Sequence, residues 1–252
     1  MLKIRIIPTL LYKNFGLVKG VGFDSWRRIG SALQAIMVYS LRGVDELIFL
    51  DITATNEGRE PDYALIDELA DECFMPLTVG GGIRTVEHVH RLLMVGADKV
   101  ALNTAAVESP ELITQVARRF GSQCVVASID FRTEADGNRQ VCTHAGTVAT
   151  GLDPVELARR LGDLGAGEIL LTSIERDGAM QGYDLHCLRQ VSEAVSIPVI
   201  ACGGAGNAVH VHEAISKGHA AAAAAASMFH FTEITPRQVK EYLAEQGLPV
   251  RL

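Results

Sequence analysis

Aromatic side chains are scarce in this 252-residue chain, at 6% with a single tryptophan, although 48% of its residues are apolar. A core with few rings has to be layered from Val, Ile, Leu and Ala, which excludes a disordered or fibrous chain. Basic residues are also short, since 23 Lys and Arg against 30 Asp and Glu leave a net charge of -7. No basic face is left to track a phosphodiester backbone, and a nucleic-acid partner is disfavoured. Small anions stay possible, because local backbone donors bind them in a protein of any net charge. The five cysteines, Cys73, Cys124, Cys142, Cys187 and Cys202, form no CxxC pair. They read as core or incidental thiols, and neither a metal nor a cofactor is expected. No apolar run approaches the roughly 20 residues of a membrane span. The alanine run Ala220 to Ala226 is too short, and the opening MLKIRIIPTLLYK lacks the apolar stretch and cleavage site of a signal peptide. A cytoplasmic protein with no membrane partner is expected.

Short β-branched apolar runs recur at Ile4 to Leu10, Glu46 to Ile52, Pro76 to Val79, Lys99 to Leu102, Cys124 to Ile129, Glu168 to Ser173, Pro198 to Ala201 and Ala220 to Ala226. Continuous runs of this kind suit strands buried on both faces of a parallel sheet. Ser109-Pro110-Glu111 and Asp153-Pro154 read as helix starts, and Gly96, Gly121, Gly165 and Gly218 as stops. Strands alternating with helices over 1–252 give one α/β domain, a (β/α)8 TIM barrel. The alanine run is the weakest strand, since alanine favours helix and leaves little side chain to fill a layer.

The chain also repeats itself. At the spacing that carries Pro76 to Pro198, Gly81-Gly82 meets Gly203-Gly204, His88-Val89-His90 meets His210-Val211-His212, and Glu46 meets Glu168. Near the start of each half the register slips by three, so that Ile7 to Leu11 faces Val126 to Asp130. Half-barrels of about 1–122 and 123–252 follow, and only the second ends its first strand in a carboxylate. Two long loops, Lys13 to Gly30 and Phe131 to Gly151, hold equivalent places on the C-terminal face and are expected as lids or partner contacts. Asp136-Gly137-Asn138 marks a hairpin turn within the second.

Gly81 and Gly82 follow one strand and Asn103 and Thr104 end the next; Gly203 and Gly204 with Ala226 and Ser227 repeat the arrangement. Glycines allow close backbone approach to a phosphate, so the pair of sites predicts a substrate phosphorylated at both ends. Asp130 ends a strand on the catalytic face, where a carboxylate can shuttle protons. Asp51 and Asp177 stand at other strand ends, and Asp177-Gly178 can turn the chain toward a phosphate. Lys19 could close over an anion, though a solvated surface lysine is the blander expectation. Arg5, Glu46, Lys99 and Glu168 fall at the N-terminal strand ends, where mixed charges form a ring that either stabilises or gates the barrel axis. The paired histidines read as solvated or packing residues outside the barrel.

With DELIFLDITAT from Asp45, PLTVGGGIRTVE from Pro76, GADKVALNTAAV from Gly96, RRFGSQCVVASID up to Asp130, GAGEILLTSIERDG from Gly165 and SIPVIACGGAG from Ser196, the chain resembles the cyclase subunit of imidazole glycerol phosphate synthase along its whole length. The resemblance implies a barrel that receives ammonia from a glutaminase partner through its N-terminal face. It further implies cleavage and cyclisation of a linear bisphosphate to imidazole glycerol phosphate and an aminoimidazole carboxamide ribotide. Carried over, Arg5, Glu46, Lys99 and Glu168 match the ammonia gate, and Asp98 and Gln123 the glutaminase-facing rim. Gly82, Asn103 and Thr104 match one phosphate site, with Asp177, Gly204, Ala226 and Ser227 across from it. Asp130 matches one catalytic aspartate and Lys19 the lid lysine. The chain departs from the family at TLLYKNFGLVKG from Thr9, where Leu11 replaces the second catalytic aspartate and Asn14 a later one, and at Cys202, where serine is common. Two alternatives stay open beside the cyclase. One is a diverged relative supplying ammonia for amidine formation on a nucleotide sugar, partnered by a sugar amidotransferase. The other is a non-catalytic channel or allosteric partner of a glutaminase.

Overall fold

The computed structural model describes residues 3–14 and 16–252. In chain order the strands are β1 (Arg5–Lys13), β2 (Gly16–Val21), β3 (Asp24–Gly30), β4 (Leu47–Asp51), β5 (Leu77–Gly80), β6 (Lys99–Leu102), β7 (Val125–Thr133), β8 (Arg139–Thr143), β9 (Val148–Ala149), β10 (Glu168–Ser173), β11 (Val199–Cys202) and β12 (Ala222–Ala225). The helices are α1 (Ala32–Leu41), α2 (Tyr63–Asp71), α3 (Val86–Met94), α4 (Thr104–Glu108), α5 (Glu111–Phe120), α6 (Pro154–Asp163), α7 (Leu185–Ala194), α8 (Ala208–Ser216), α9 (Ser227–Phe231) and α10 (Pro236–Glu245). Strands β1, β4, β5, β6, β7, β10, β11 and β12 are parallel neighbours, and pairing of β12 with β1 closes the ring. This is a closed eight-stranded TIM barrel, as the alternating pattern predicts.

The repeat extends to the helix caps. Asp62 accepts from the Leu65 amide to start α2, and Asp184 accepts from Cys187 to start α7; Thr85 does the same for α3 and Asn207 for α8. Each side-chain cap satisfies an orphan amide and is worth about 1 kcal/mol. Asp153 caps α6 through two amides, with Pro154 at the first helical position as its sequence suggests.

Strand pairing fixes which positions of the two halves correspond. Ile7 lies beside Ala224, and Val126 beside Ala101, so Leu11 and Asp130 hold equivalent places, as the slipped alignment requires. The constant spacing fails at the alanine strand. Lys99 pairs with Thr78, whereas Ala222 pairs with Ile200, one residue later than the repeat predicts. The extra residue is accommodated beside His219, whose φ of 58° is left-handed. Since side chains alternate along a strand, this correction turns every alanine to the opposite face. Ala222 and Ala224 therefore face the barrel axis with Ile7, Ile48, Ala101, Val126, Leu170 and Ile200, while Ala223 and Ala225 face the helices. Tyr183 braces this thin strand by donating its hydroxyl to the Ala224 carbonyl at 3.0 Å.

The segment after β1 is not a loop. β1 runs on to Lys13 and pairs antiparallel with β2, which pairs with β3. Its tight corner places Phe23 and Ser25 at φ of 61° and 54°, conformations a sequence without glycine at those positions does not advertise. The second extension folds as the expected hairpin of β7 and β8, with Gly137 at φ 85° in its turn. The two arms meet where a Cβ on Gly146 would come 2.9 Å from the Phe23 ring.

Candidate active site

A cavity of about 320 Å³ opens at the C-terminal strand ends. Equivalent positions of the two halves line it in pairs: Thr9 and Ser128, Leu11 and Asp130, Leu50 and Thr172, Gly80 and Cys202, Ala101 and Ala224. Within these pairs the second half supplies the carboxylate and thiol and the first half supplies leucines and a glycine. Phe23 and Trp26 from the first arm, with His144 and Ala145 from the second, complete the mouth.

Asp130 lies between Thr172 on β10 and Cys142 on β8. Burial pushes its carboxyl up to about 7; the Thr172 hydroxyl works the other way and Asp177 adds to the rise. A carboxyl poised near neutrality can both take and give a proton. Asp177, in the turn after β10, is also raised, first by burial, while the Lys19 ammonium and the Gly178 amide oppose the shift. Cys202 is pushed up to about 12, chiefly by burial and then by Asp177, so its sulfur stays a neutral thiol. Asp51 is different. Its Oδ1 accepts from Thr53 N, Thr53 Oγ1 and Ala54 N, and its Oδ2 meets Arg59 at 3.2 Å, which commits it to holding the loop after β4.

Lys19 is not a surface lysine. It lies on β2 with 2% exposure, behind the cavity wall, and donates to the Thr9 carbonyl at 3.2 Å. Burial lowers it to about 8, against the pull of Asp177. His230 nearby is held neutral, down at about 4, by burial and by Lys19. Thr9 Oγ1 and His230 Nε2 are buried without a hydrogen-bond partner.

The two glycine loops face each other across the cavity. Gly81 and Gly82 take φ of 110° and 72°, and Gly203 and Gly204 take 80° and 116°. A Cβ would lie 2.2 Å from the Asp51 carbonyl oxygen at Gly81 and 2.5 Å from that of Ser173 at Gly203, so glycine is required by space as well as by φ. Beside them Asn103 and Ala226 begin α4 and α9 with matching backbone angles, φ/ψ of -105°/-80° and -125°/-73°. Asn103 Nδ2 donates to the Ser128 carbonyl at 3.1 Å, and Thr104 Oγ1 accepts from the His144 amide at 3.0 Å. Those side chains are engaged in shaping the wall, and the Gly82 amide donates to Thr55 Oγ1 at 3.2 Å. The histidines have a job here too: His88 Nδ1 accepts from Arg84 N at 3.3 Å and His210 Nδ1 from Gly206 N at 3.1 Å, bracing both glycine loops from outside.

At the opposite mouth Arg5 reaches Glu46 and Glu168 at 2.7 Å each, and Lys99 reaches the same two carboxylates at 3.1 and 3.2 Å. Burial works against the Arg5 charge, but Glu168 and Glu46 outweigh it and hold the guanidinium firmly protonated. The ring is neutral, and the apolar barrel axis lies between it and the cavity. Asp98 and Gln123 are exposed on this face, where Asp98 Oδ2 also accepts from Leu77 N at 2.8 Å and Gln123 Nε2 donates to Phe120 O at 3.0 Å.

The structure thus brings together Asp130, Asp177, Gly178, Gly81, Gly82, Asn103, Thr104, Gly203, Gly204, Ala226 and Ser227 around one cavity. Sequence reasoning missed Thr9, Thr172, His144 and the aromatic pair Phe23 and Trp26. The repeat held the signal for the first two, since Thr9 and Ser128, and Leu50 and Thr172, align at the same offsets as the residues it did find.

Residues 5–235 match the histidine biosynthesis protein family. Two relatives from Caulobacter vibrioides, from strain NA1000 / CB15N and strain ATCC 19089 / CIP 103742 / CB 15, are each named imidazole glycerol phosphate synthase subunit HisF. Both are 52% identical over 253 residues, covering 100% of this chain and 97% of the relative. With a closed barrel and that likeness along its full length, the chain belongs to the histidine biosynthesis protein family, among the HisF subunits of imidazole glycerol phosphate synthase.

Proposed function

We propose that this chain is the ammonia-using lyase and cyclase subunit of a glutamine amidotransferase complex. It converts a linear bisphosphate and ammonia to imidazole glycerol phosphate, an aminoimidazole carboxamide ribotide and water. The observation that carries this reading is the axial order of its parts: a charged ring at one mouth, an apolar axis, and a cavity with Asp130 between two glycine cradles at the other. Ammonia is small and neutral, so an apolar axis passes it while charged species are stopped at the ring. The glycine cradles hold one phosphate each and stretch the substrate across Asp130. Gly81, Gly82, Asn103 and Thr104 form one end, and Gly178, Gly203, Gly204, Ala226 and Ser227 the other.

A glutaminase subunit docks over Asp98 and Gln123 on the N-terminal face. Leu41, Phe74 and Met94 are exposed at or just beyond the C-terminal ends of α1, α2 and α3. Helix ends lie on that same face in this fold, and an exposed apolar rim there suits a protein partner. No helix among the described residues is long and apolar enough to cross a membrane. A simple conduit would have no use for two anion cradles and a carboxyl tuned near neutrality, which sets the non-catalytic reading aside. The test is steady-state turnover of the purified barrel with ammonium and the bisphosphate. Formation of imidazole glycerol phosphate supports the assignment; binding without product would overturn it.

A further inference from the structure

Leu11 holds the place that corresponds to Asp130, lines the same cavity and is 7% exposed. It cannot transfer a proton. Cleavage with cyclisation needs a group that accepts a proton from the attacking nitrogen and one that gives a proton to the leaving nitrogen. General acid–base catalysis by one such group is typically worth about 10²–10⁴-fold in rate. The polar half of the cavity holds a further carboxyl, Asp177, which is not committed to an arginine as Asp51 is to Arg59. Asp177 follows β10 by four residues, and its turn is fixed by Asp177 N donating to Ser173 O at 3.0 Å and by Gly22 N donating to Asp177 O at 2.9 Å. β10 also carries Thr172, which lies directly beside Asp130 in the sheet and beside Cys202 on the other side. Asp130, Thr172, Cys202 and Asp177 all line the cavity. Each of the two carboxyls feels the charge of a shared neighbourhood: Asp177 acts on Asp130, and both act on Cys202. The Lys19 ammonium, fixed on the Thr9 carbonyl, opposes but does not cancel the rise that burial imposes on Asp177.

We propose that Asp177 is the second proton-transfer residue of this chain, filling the role that Leu11 cannot. This assignment rests on the reaction proposed above. The ammonia nitrogen first condenses with the ketone of the bisphosphate, whose oxygen leaves as water; as that nitrogen then closes the ring on the carbon bearing the ribotide, it gives up a proton to the Asp130 carboxylate. As the carbon–nitrogen bond to the departing ribotide breaks, its electron pair stays on the leaving nitrogen, which takes a proton from the Asp177 carboxyl. One proton is taken and one is given, and afterwards the proton on Asp130 returns to Asp177 through solvent in the cavity they share.

The experiment compares wild type, Asp177→Asn, Leu11→Asp and the double variant Leu11→Asp/Asp177→Asn, with ammonium and the bisphosphate, each checked for folding by circular dichroism. Asparagine keeps the acceptor for the Gly178 amide, so the loop is preserved. Asp177→Asn is expected to lower kcat about 100-fold with KM changed less than about 3-fold. Adding Leu11→Asp is expected to restore kcat at least about 10-fold, because an acid then stands at the equivalent position across the cavity. A raised KM with unchanged kcat in Asp177→Asn would make Asp177 a phosphate-positioning residue only and overturn the assignment. A folded double variant no faster than Asp177→Asn would overturn it as well. Absence of product from the wild type would sink the reaction itself, and this assignment with it.

Discussion

Glu46 and Glu168 are joined twice, through Arg5 at 2.7 Å to each and through Lys99 at 3.1 and 3.2 Å. They are the symmetry-related members of the ring, yet both cations come from the first half of the chain. Each cation therefore serves two largely buried anions, and removing either leaves them facing one another with half their compensation. Arg5→Ala is expected to destabilise the barrel by about 1–3 kcal/mol, less than a fully buried pair because the ring keeps some solvent contact. Urea denaturation measures this. Turnover supported by glutamine and the partner glutaminase should fall further than turnover supported by added ammonium, and equal losses would argue against a gate.

Asp130 is raised to about 7 in the fold from an ordinary value of 3.8. Its folded state binds the proton more tightly than the unfolded chain, so stability falls as pH rises from about 4 and the full penalty is present above about 7. Asp130→Asn should therefore stabilise the protein at pH 8, by about 2–4 kcal/mol, while abolishing turnover. The gain should shrink steadily toward pH 4. Thermal melts across that range test the sign, and a variant less stable than wild type at pH 8 would contradict the burial argument.

Lys19 is charged below about 8 and neutral above it. The positive charge that Lys19 adds beside a cavity meant for an anionic bisphosphate is lost through that point, so kcat/KM is expected to decline on an alkaline limb with a midpoint close to 8. In Lys19→Met the rate should be lower throughout and that limb should disappear. Because burial depresses the lysine below its unfolded value, wild-type stability should rise between about 8 and 10.5, and the variant should lack this rise.

Gly203→Ala has to place a Cβ 2.5 Å from the Ser173 carbonyl oxygen at a φ of 80°. A loss of about 2–4 kcal/mol is expected from strain and displaced backbone together. If the loop is a phosphate cradle, KM for the bisphosphate rises while that for inorganic ammonium does not. Gly137→Ala is the control: it too has positive φ, at 85°, but a Cβ there meets nothing within 4 Å, and its site lies in the β7–β8 turn.

Much of this was legible in the letters of the chain. Alternating strands and helices gave the barrel, and the repeat located both glycine cradles and the correspondence of Leu11 with Asp130. What escaped came from effects that spacing does not encode. A single extra residue before the alanine strand, taken up in a left-handed His219, shifted the faces of Ala222 to Ala225. The first arm reads as a loop because Gly22 alone marks its turn, while Phe23 and Ser25 take left-handed φ without being glycine. Lys19 read as a surface residue because only the antiparallel pairing of β1, β2 and β3 shows that it is buried.

The unequal sharing of charge between the halves limits how they can be combined. Arg5 and Lys99 correspond in the register to Cys124 and Ala222, and Asp130 corresponds to Leu11. A barrel assembled from two copies of the second half would set one Glu168 against another with no cation in reach, however many acids it gained at the far mouth. Two copies of the first half would have cations to spare and no Asp130. Neither half can therefore be replaced by a second copy of the other, since each carries only part of an apparatus that works solely in combination.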